Sequence, residues 1–226
     1  MNQHTNKVRI RAVARALAGL SGKSVFVGGA TISLYPDKPI GDVRPTDDVD
    51  VIMEILNYAE RAALEEKLRS HGFSHDVESG IVCRYRIQGI VVDILPTNDA
   101  SIGFSNLWYP QGFEKAMLYD IDEWNKIYIL TAPYFIATKL EAHKSRGEGD
   151  GRTSQDFEDI IFILENRSSI WKEMSEADEA LRKYLKEEFR QLWKNPDLFE
   201  WIDSNVERTS PPATYIIMEQ IEKFIS

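Results

Sequence analysis

The apolar and charged positions at the start of the chain follow a helical rhythm. Val8, Ile10, Val13, Leu17 and Leu20 recur at mainly helical spacing between charged residues, with Gly19 and Gly22 as breakers, which predicts an amphipathic helix over about residues 7–20. The period then changes. Ser24 to Val27 is a short apolar strand ending at Gly28 and Gly29, and ATISLY behind it predicts a short helix that stops before Pro36. Residues 37–47, rich in proline, glycine and aspartate, predict a loop, after which DVDVIMEI alternates acids and aliphatics as a strand with one polar face. A helix is predicted over residues 58–70, with Ala62, Leu64 and Leu68 inward and His71-Gly72 closing it. IVCRYRI and GIVVDIL follow as two strands, separated by Gln88 and Gly89, a spacing that predicts a tight antiparallel hairpin.

Beyond Thr131 the pattern is helical again. Thr131 is placed to cap, Pro133 falls in the first turn, and Ile136 and Leu140 mark the apolar side. A glycine-rich linker over 147–155 precedes Phe157, Ile160, Ile161 and Leu164, spaced i, i+3, i+4, i+7, and amphipathic helices are predicted over 176–193 and 213–224. There is no internal repeat and no low-complexity tract. The expected organisation is an α/β (α+β) region over 1–127 followed by a helical region over 128–226.

Composition narrows the function. With 226 residues, 43% of them apolar, the chain has enough material for a buried core. The lone Cys83 forms no internal disulfide and fits a packed position, and charges are scattered through the amino end where a signal peptide would be smoothly apolar, so a cytoplasmic protein is expected. No run approaches the roughly 18 apolar residues of a membrane-spanning helix. A net charge of −9 argues against nonspecific coating of a polyanion. It suits a chain that gathers carboxylates around a divalent cation and lets the metal meet phosphates.

Asp48 and Asp50 carry that possibility. Two positions apart in a strand, they project to one face at a Cβ separation of roughly 6–7 Å. Asp93 lies within apolar VVDILP, where an acid is costly unless it is paired or bound to metal. Two plainer readings compete: an exposed edge strand for Asp48 and Asp50, and a salt bridge from Asp93 to Arg84 or Arg86. Gly28-Gly29 is open in the same way, since a strand exit needing positive φ and a backbone approach to phosphate both call for glycine.

Taken together, Gly28-Gly29, Arg44-Pro45-Thr46-Asp47, Asp48-Val49-Asp50-Val51 and Asp93 in VVDIL resemble the nucleotidyltransferase superfamily. GGATISLY followed by RPTDDVDV is most similar to its AbiEii-type toxin members. The resemblance implies a polymerase β-like core with a short mixed sheet flanked by helices and a C-terminal helical region. It implies metal-dependent transfer of an NMP from an NTP to an acceptor hydroxyl, with release of pyrophosphate. Asp48, Asp50 and Asp93 are the implied ligands for Mg²⁺ or Mn²⁺, Asp93 also being the implied proton acceptor, and Gly28, Gly29, Arg44, Thr46 and Lys139 are the implied nucleotide contacts. Lys139 and Asp156 match a lysine and an aspartate of the toxin active site, although DFEDI admits Asp159 equally. PDKPIGDV stands as an insertion between the glycines and Asp48.

Lys139, His143 and Arg146 share a helix face by spacing, and the same spacing suits an ordinary solvated face. An acid at Asp156 also suits a helix start capped by Thr153 or Ser154. For the acceptor, the resemblance implies tRNA with a cognate antitoxin, or else a small molecule such as an aminoglycoside. A non-catalytic phosphate- or partner-binding module is the contrasting class. Arg182, Lys183, Lys186, Arg190 and Lys194 are the candidate basic surface for an RNA, against a solvated helix face. The five tryptophans are too scattered to read as a stacking platform and are expected in packing.

Overall fold

The computed structural model describes residues 2–20, 23–40, 43–55, 58–97, 106–146, 149–207 and 213–226. Gly22, Gly41 and Asp42 of the insertion, and Gly147 and Glu148 of the linker lie outside them. The chain divides into two compact units, Met1–Leu34 with Gly41–Thr131, and Tyr35–Ile40 with Ala132–Ser226.

The first unit opens with α1 (Asn2–Leu17), which starts earlier than its apolar rhythm predicts. Asn6, Ile10, Val13 and Leu17 form its buried face. The inward position at residue 6 is polar, so a count of apolar residues alone stops one turn short.

Among the described residues, seven strands form one mixed sheet. They are β1 (Ser24–Val27), β2 (Asp48–Met53), β3 (Ser74–His75), β4 (Arg84–Ile87), β5 (Ile90–Pro96), β6 (Met117–Asp120) and β7 (Lys126–Ile129), in spatial order β3-β4-β5-β2-β1-β7-β6. β2 runs parallel to β5 and antiparallel to β1. It is therefore an interior strand with Val49, Val51, Ile52 and Met53 buried, and the edge-strand reading of its acids is excluded. The short helix after Gly28 is a 3₁₀ helix over Gly29–Leu34.

The β4–β5 hairpin closes as predicted, with Ile87 opposite Ile90. Gln88 and Gly89 both have positive φ, 51° and 80°, the combination of a type I′ turn. β4 is shorter than IVCRYRI suggests because the chain turns at Val82 and Cys83, where the Cys83 carbonyl still accepts from Ile94 N–H at 2.9 Å. Cys83 is half-buried, and burial pushes its thiol up.

Helix α2 (Tyr58–Ser70) has the expected bounds, and Phe73 N–H closes it on the Leu68 carbonyl with Gly72 at φ 87°. Its inward face differs from the expectation. Leu68 is buried and Leu64 half-buried, but Ala62 is exposed, because the inward stripe runs through Arg61 and Glu65, which pair at 3.3 Å with their stems laid inward. β6, β7 and α3 (Tyr109–Glu114) complete the unit, β7 lying parallel beside β1.

The second unit contains α4 (Ala132–Arg146), α5 (Gln155–Asn166), α6 (Ile170–Glu176), α7 (Glu179–Trp193), α8 (Leu198–Asn205) and α9 (Ala213–Ile225). Phe157, Ile160, Ile161 and Leu164 are all buried, as their spacing predicts. The helix expected over 176–193 begins only at Glu179, because Ala177 is extended and separates α6 from α7. Trp171 packs with Phe189 and Phe224, and Trp201 with Phe157 and His143. Trp124, also expected in packing, is 86% exposed in the β6–β7 turn.

Part of the insertion belongs to this second unit. The Tyr35 ring lies 4.8 Å from that of Phe135, and Arg167 Nη1 donates to the Tyr35 carbonyl at 2.7 Å. The Asp37 carboxylate accepts from Ser168 N–H and Oγ, and these bonds hold it below the usual carboxylate range. Among the described residues no helix is long and apolar enough to cross a membrane.

Candidate active site

Strand register assembles the acids of the first unit. β2 and β5 run parallel with Asp50 opposite Asp93, and Asp48, two residues earlier on β2, takes the same face. Val27, the last residue of β1, stands opposite Asp50 on the other side, so the glycine turn begins beside that carboxylate. Gly28 has φ +70°, and a Cβ built there would lie 1.9 Å from Asp50 Oδ2. Both the backbone conformation and the space demand glycine at this position. Gly29 starts the 3₁₀ turn, and the Gly28 carbonyl accepts from Thr31 Oγ1 at 2.9 Å.

Arg84 sits among these acids. On β4 it is paired in register with Asp93, and its guanidinium forms a two-pronged fork, Nε to Asp93 Oδ1 at 2.8 Å and Nη2 to Oδ2 at 2.7 Å. Nη2 also reaches Asp48 Oδ2 at 3.3 Å. These bonds to Asp93, with the charges of Asp93, Asp48 and Asp50, hold the guanidinium above its ordinary pKa despite partial burial. Of the two arginines offered by sequence as partners for Asp93, Arg84 takes the role. Arg86 turns instead to the buried Asp76, donating through Nε at 3.0 Å.

The lead-in to β2 is held by α1. Asn6 Nδ2 donates to the Arg44 carbonyl at 3.3 Å, Thr46 N–H donates to Asn6 Oδ1 at 3.4 Å, and Arg9 Nη1 donates to the Thr46 carbonyl. Thr46 is buried and Arg44 half-buried. Asn6 and Arg9 escaped the sequence reading, since nothing in α1's pattern points to a loop 40 residues away. The one signal was a polar residue on an otherwise apolar stripe.

Asp48 and Asp50 fit a hard divalent cation by donor type, because Mg²⁺ is commonly held by one or two carboxylates plus substrate phosphates. Asp93 differs, both of its oxygens accepting from Arg84. Among the described residues there is no ready-made cluster of three or more His, Cys, Asp or Glu side chains placed to hold a metal.

Lys139, Asp156 and Asp159 meet within the second unit. Lys139 Nζ donates to Asp156 Oδ1 at 2.9 Å and lies 2.6 Å from Asp159 Oδ2, all three residues being buried. Burial alone would lower the lysine's pKa, but the two carboxylates outweigh it and raise it. Arg146 forks onto Asp156 at 2.8 and 3.0 Å. Burial would raise the Asp156 pKa, yet Arg146 and Lys139 hold it at about 2. Ser154 is the cap of α5, accepting from Phe157 N–H, and its hydroxyl meets His143 Nδ1 at 2.8 Å. The face shared by Lys139, His143 and Arg146 is thus directed at the first turn of α5, with Lys139 and His143 buried there and Arg146 reaching Asp156 from an exposed position.

The fold has counterparts among solved structures. An antigenic nucleotidyltransferase-like protein from Paracoccidioides brasiliensis superposes with a TM-score of 0.52 at 18% identity, over 92% of this chain and 96% of its own. The fold is that of the nucleotidyltransferase-like proteins. The antibiotic-resistance factor ANT(2'')-Ia matches the same fold with a TM-score of 0.53 at 17% identity, over 85% of this chain and 97% of its own. No protein-family model and no curated protein matches the sequence. The nucleotidyltransferase-like fold accounts for the expected mixed sheet with flanking helices and for the helices after residue 131.

Proposed function

We propose that the first unit catalyses nucleotidyl transfer from an NTP to an acceptor hydroxyl. The observation that carries this reading is the register of Asp50 opposite Asp93, with Asp48 on the same face and the positive-φ turn of Gly28 packed against Asp50. Two neighbouring interior strands have no packing use for three carboxylates on one face, and such a set is costly without cations.

The acceptor oxygen attacks the α-phosphorus in line. The new P–O bond forms as the bond to the bridging oxygen breaks, pyrophosphate leaves, and Asp93 receives the hydroxyl proton as one N–H bond from Arg84 is given up. Asp48 and Asp50 would hold Mg²⁺ or Mn²⁺, which supplies charge neutralisation at the phosphates and a lowered pKa for the acceptor hydroxyl. The backbone of Gly28 and Gly29 supplies N–H groups without side chains in the way. Lys139, Asp156 and Asp159 act in this reading as one buried positioning cluster, since the lysine's ammonium already spans both carboxylates.

An RNA acceptor, as in an AbiEii-like toxin with its antitoxin, is the first acceptor to try. A small-molecule acceptor is the second, favoured by the likeness to an antibiotic-resistance factor. The test incubates purified protein with Mg²⁺, each α-labelled NTP in turn, and either total tRNA or an aminoglycoside panel. Label on an acceptor with wild type and none with Asp48→Ala or Asp50→Ala is the expected result. An active Asp50→Ala protein would sink the assignment.

A further inference from the structure

The acidic net charge conceals a local reversal. A cleft of about 450 Å³ in the second unit is lined by Arg182, Lys183, Lys186 and Arg190 of α7, with Glu179 at its rim, and by Lys223 and Phe224 of α9. Five cations face a single lining carboxylate in a chain whose formal charge is −9. On α7 the four basic residues stand at i, i+1, i+4 and i+8, within an arc of about 100° and over about 12 Å of helix axis.

The manner in which these cations are held separates them from ordinary surface charge. Several exposed cations elsewhere are neutralised, Lys144 by Glu141 and Glu188, Lys126 by Asp120 and Arg69 by Glu66. Among the described residues, Arg182, Lys183 and Lys186 have no carboxylate within ion-pair distance. Neutral groups fix the positions of Arg182, Lys186 and Arg190. Arg182 Nη1 donates to the Ser175 and Ala177 carbonyls at 3.3 Å, and Arg190 donates through Nε and Nη2 to the Ile225 carbonyl at 3.2 and 2.8 Å. Lys186 Nζ lies 5.8 Å from the centre of the Phe224 ring. Carbonyl anchors orient a guanidinium without cancelling its charge. The two outer cations are weakly or locally compensated, Arg190 by Glu187 at 3.8 Å and Lys223 by Glu219 at 2.6 Å.

We infer that this cleft binds the phosphodiester backbone of a single-stranded nucleic acid. A row of five cations, three of them without a paired carboxylate and Arg182, Lys186 and Arg190 oriented by neutral groups, suits repeated single negative charges spaced along a strand, and arginine forks match phosphate oxygens better than a diffuse field would. The favourable term is release of counterions from the strand, which requires cations that have not already found a carboxylate. The inference stands apart from the transfer reaction, because it concerns residues of the second unit alone.

Fluorescence anisotropy of labelled twelve-residue oligo-U and oligo-dT, without metal or nucleotide, tests it across a range of salt. Binding is expected to weaken with a log–log slope of about −2 to −3.5, at about 0.7 per phosphate neutralised. The Lys183→Ala/Lys186→Ala double variant should flatten that slope by about 1.4. A Lys126→Ala/Lys172→Ala control, at cations paired to Asp120 and Glu176, should leave it unchanged. Equal binding of the two oligomers assigns recognition to the backbone alone, and tighter oligo-U binding adds the ribose; both support the cleft. A slope that the double variant does not change overturns it, as does displacement of the oligomer by polyglutamate or by anionic vesicles at equal charge. A protein that binds the strand yet transfers no nucleotide refutes the reading of the acids and leaves the cleft intact, and the converse outcome does the reverse.

Discussion

Replacing Arg84 by methionine keeps the aliphatic stem and removes the guanidinium that joins Asp93 to Asp48. The two short bonds to Asp93 link side chains that are 23% and 12% exposed. Removing one partner from a fully buried pair costs about 3–5 kcal/mol, and partial solvation here reduces that to about 2–3 kcal/mol. For a chain of this size each kcal/mol moves the melting temperature by about 2–4 °C, so the variant should melt about 4–12 °C lower in chelator. Added Mg²⁺ should then act unequally. If Asp48 and Asp50 hold the ion as proposed, it would share the acids with a tethered cation in the wild type and would become the main compensating charge in Arg84→Met. The Mg²⁺-induced rise in melting temperature should therefore be larger in the variant, with an upper scale of about 2.7 kcal/mol at a hundredfold excess over Kd. Differential scanning calorimetry with and without Mg²⁺ measures both quantities. A variant melting within 1 °C of wild type in chelator, or gaining no more from Mg²⁺ than wild type does, would refute the claim that Arg84 offsets the charge of these acids.

Gly28→Ala should destabilise the first unit by more than the roughly 1 kcal/mol of a positive-φ penalty, because its methyl would collide with Asp50 Oδ2; urea titration reads the loss, and transfer should fall with it. Arg146 and Lys139 hold the buried Asp156 carboxyl at about 2, below its ordinary 3.8, so its contribution is present above pH 4 and lost as pH falls towards 2. Asp156→Asn should therefore remove about 2 kcal/mol at neutral pH and flatten the acid limb of the stability–pH curve, measured by denaturant midpoints between pH 2 and 5. Burial lowers the His143 pKa despite the nearby Asp156, so neutral imidazole favours the fold and stability is lost as pH falls below about 6.5; His143→Gln should abolish that step.

Sequence reached the acids because strand periodicity is a strong local rule: two aspartates two apart in DVDV share a face wherever the strand lies. It left open whether β2 was an edge, since that depends on β1 and β5 pairing on either side of it, and pairing is non-local. The same limit hid Arg84. Alternation placed Arg84 and Arg86 on one face of β4, but only the antiparallel register with β5 sends the first to Asp93 and leaves the second to Asp76. Lys139 with Asp156 or Asp159 came from the resemblance to the toxin active site, helical spacing giving only the shared face of Lys139, His143 and Arg146, and the mutual burial of the three needed the packing of α4 on α5. β6 and β7 went unnoticed because their four-residue alternations are too short to stand out against the neighbouring loops.

The six residues from Tyr35 to Ile40 bear on how the two units can be taken apart. They lie between the glycine turn and the acid strand, yet they fold with the helices that begin at Ala132. A single cut near Thr131 therefore yields a carboxy-terminal piece lacking the Tyr35 ring beneath Phe135 and the Asp37 carboxylate that caps Ser168. The two units are not cassettes that one crossover could exchange. A chimera carrying a foreign helical region should fold only when the matching hexapeptide travels with it.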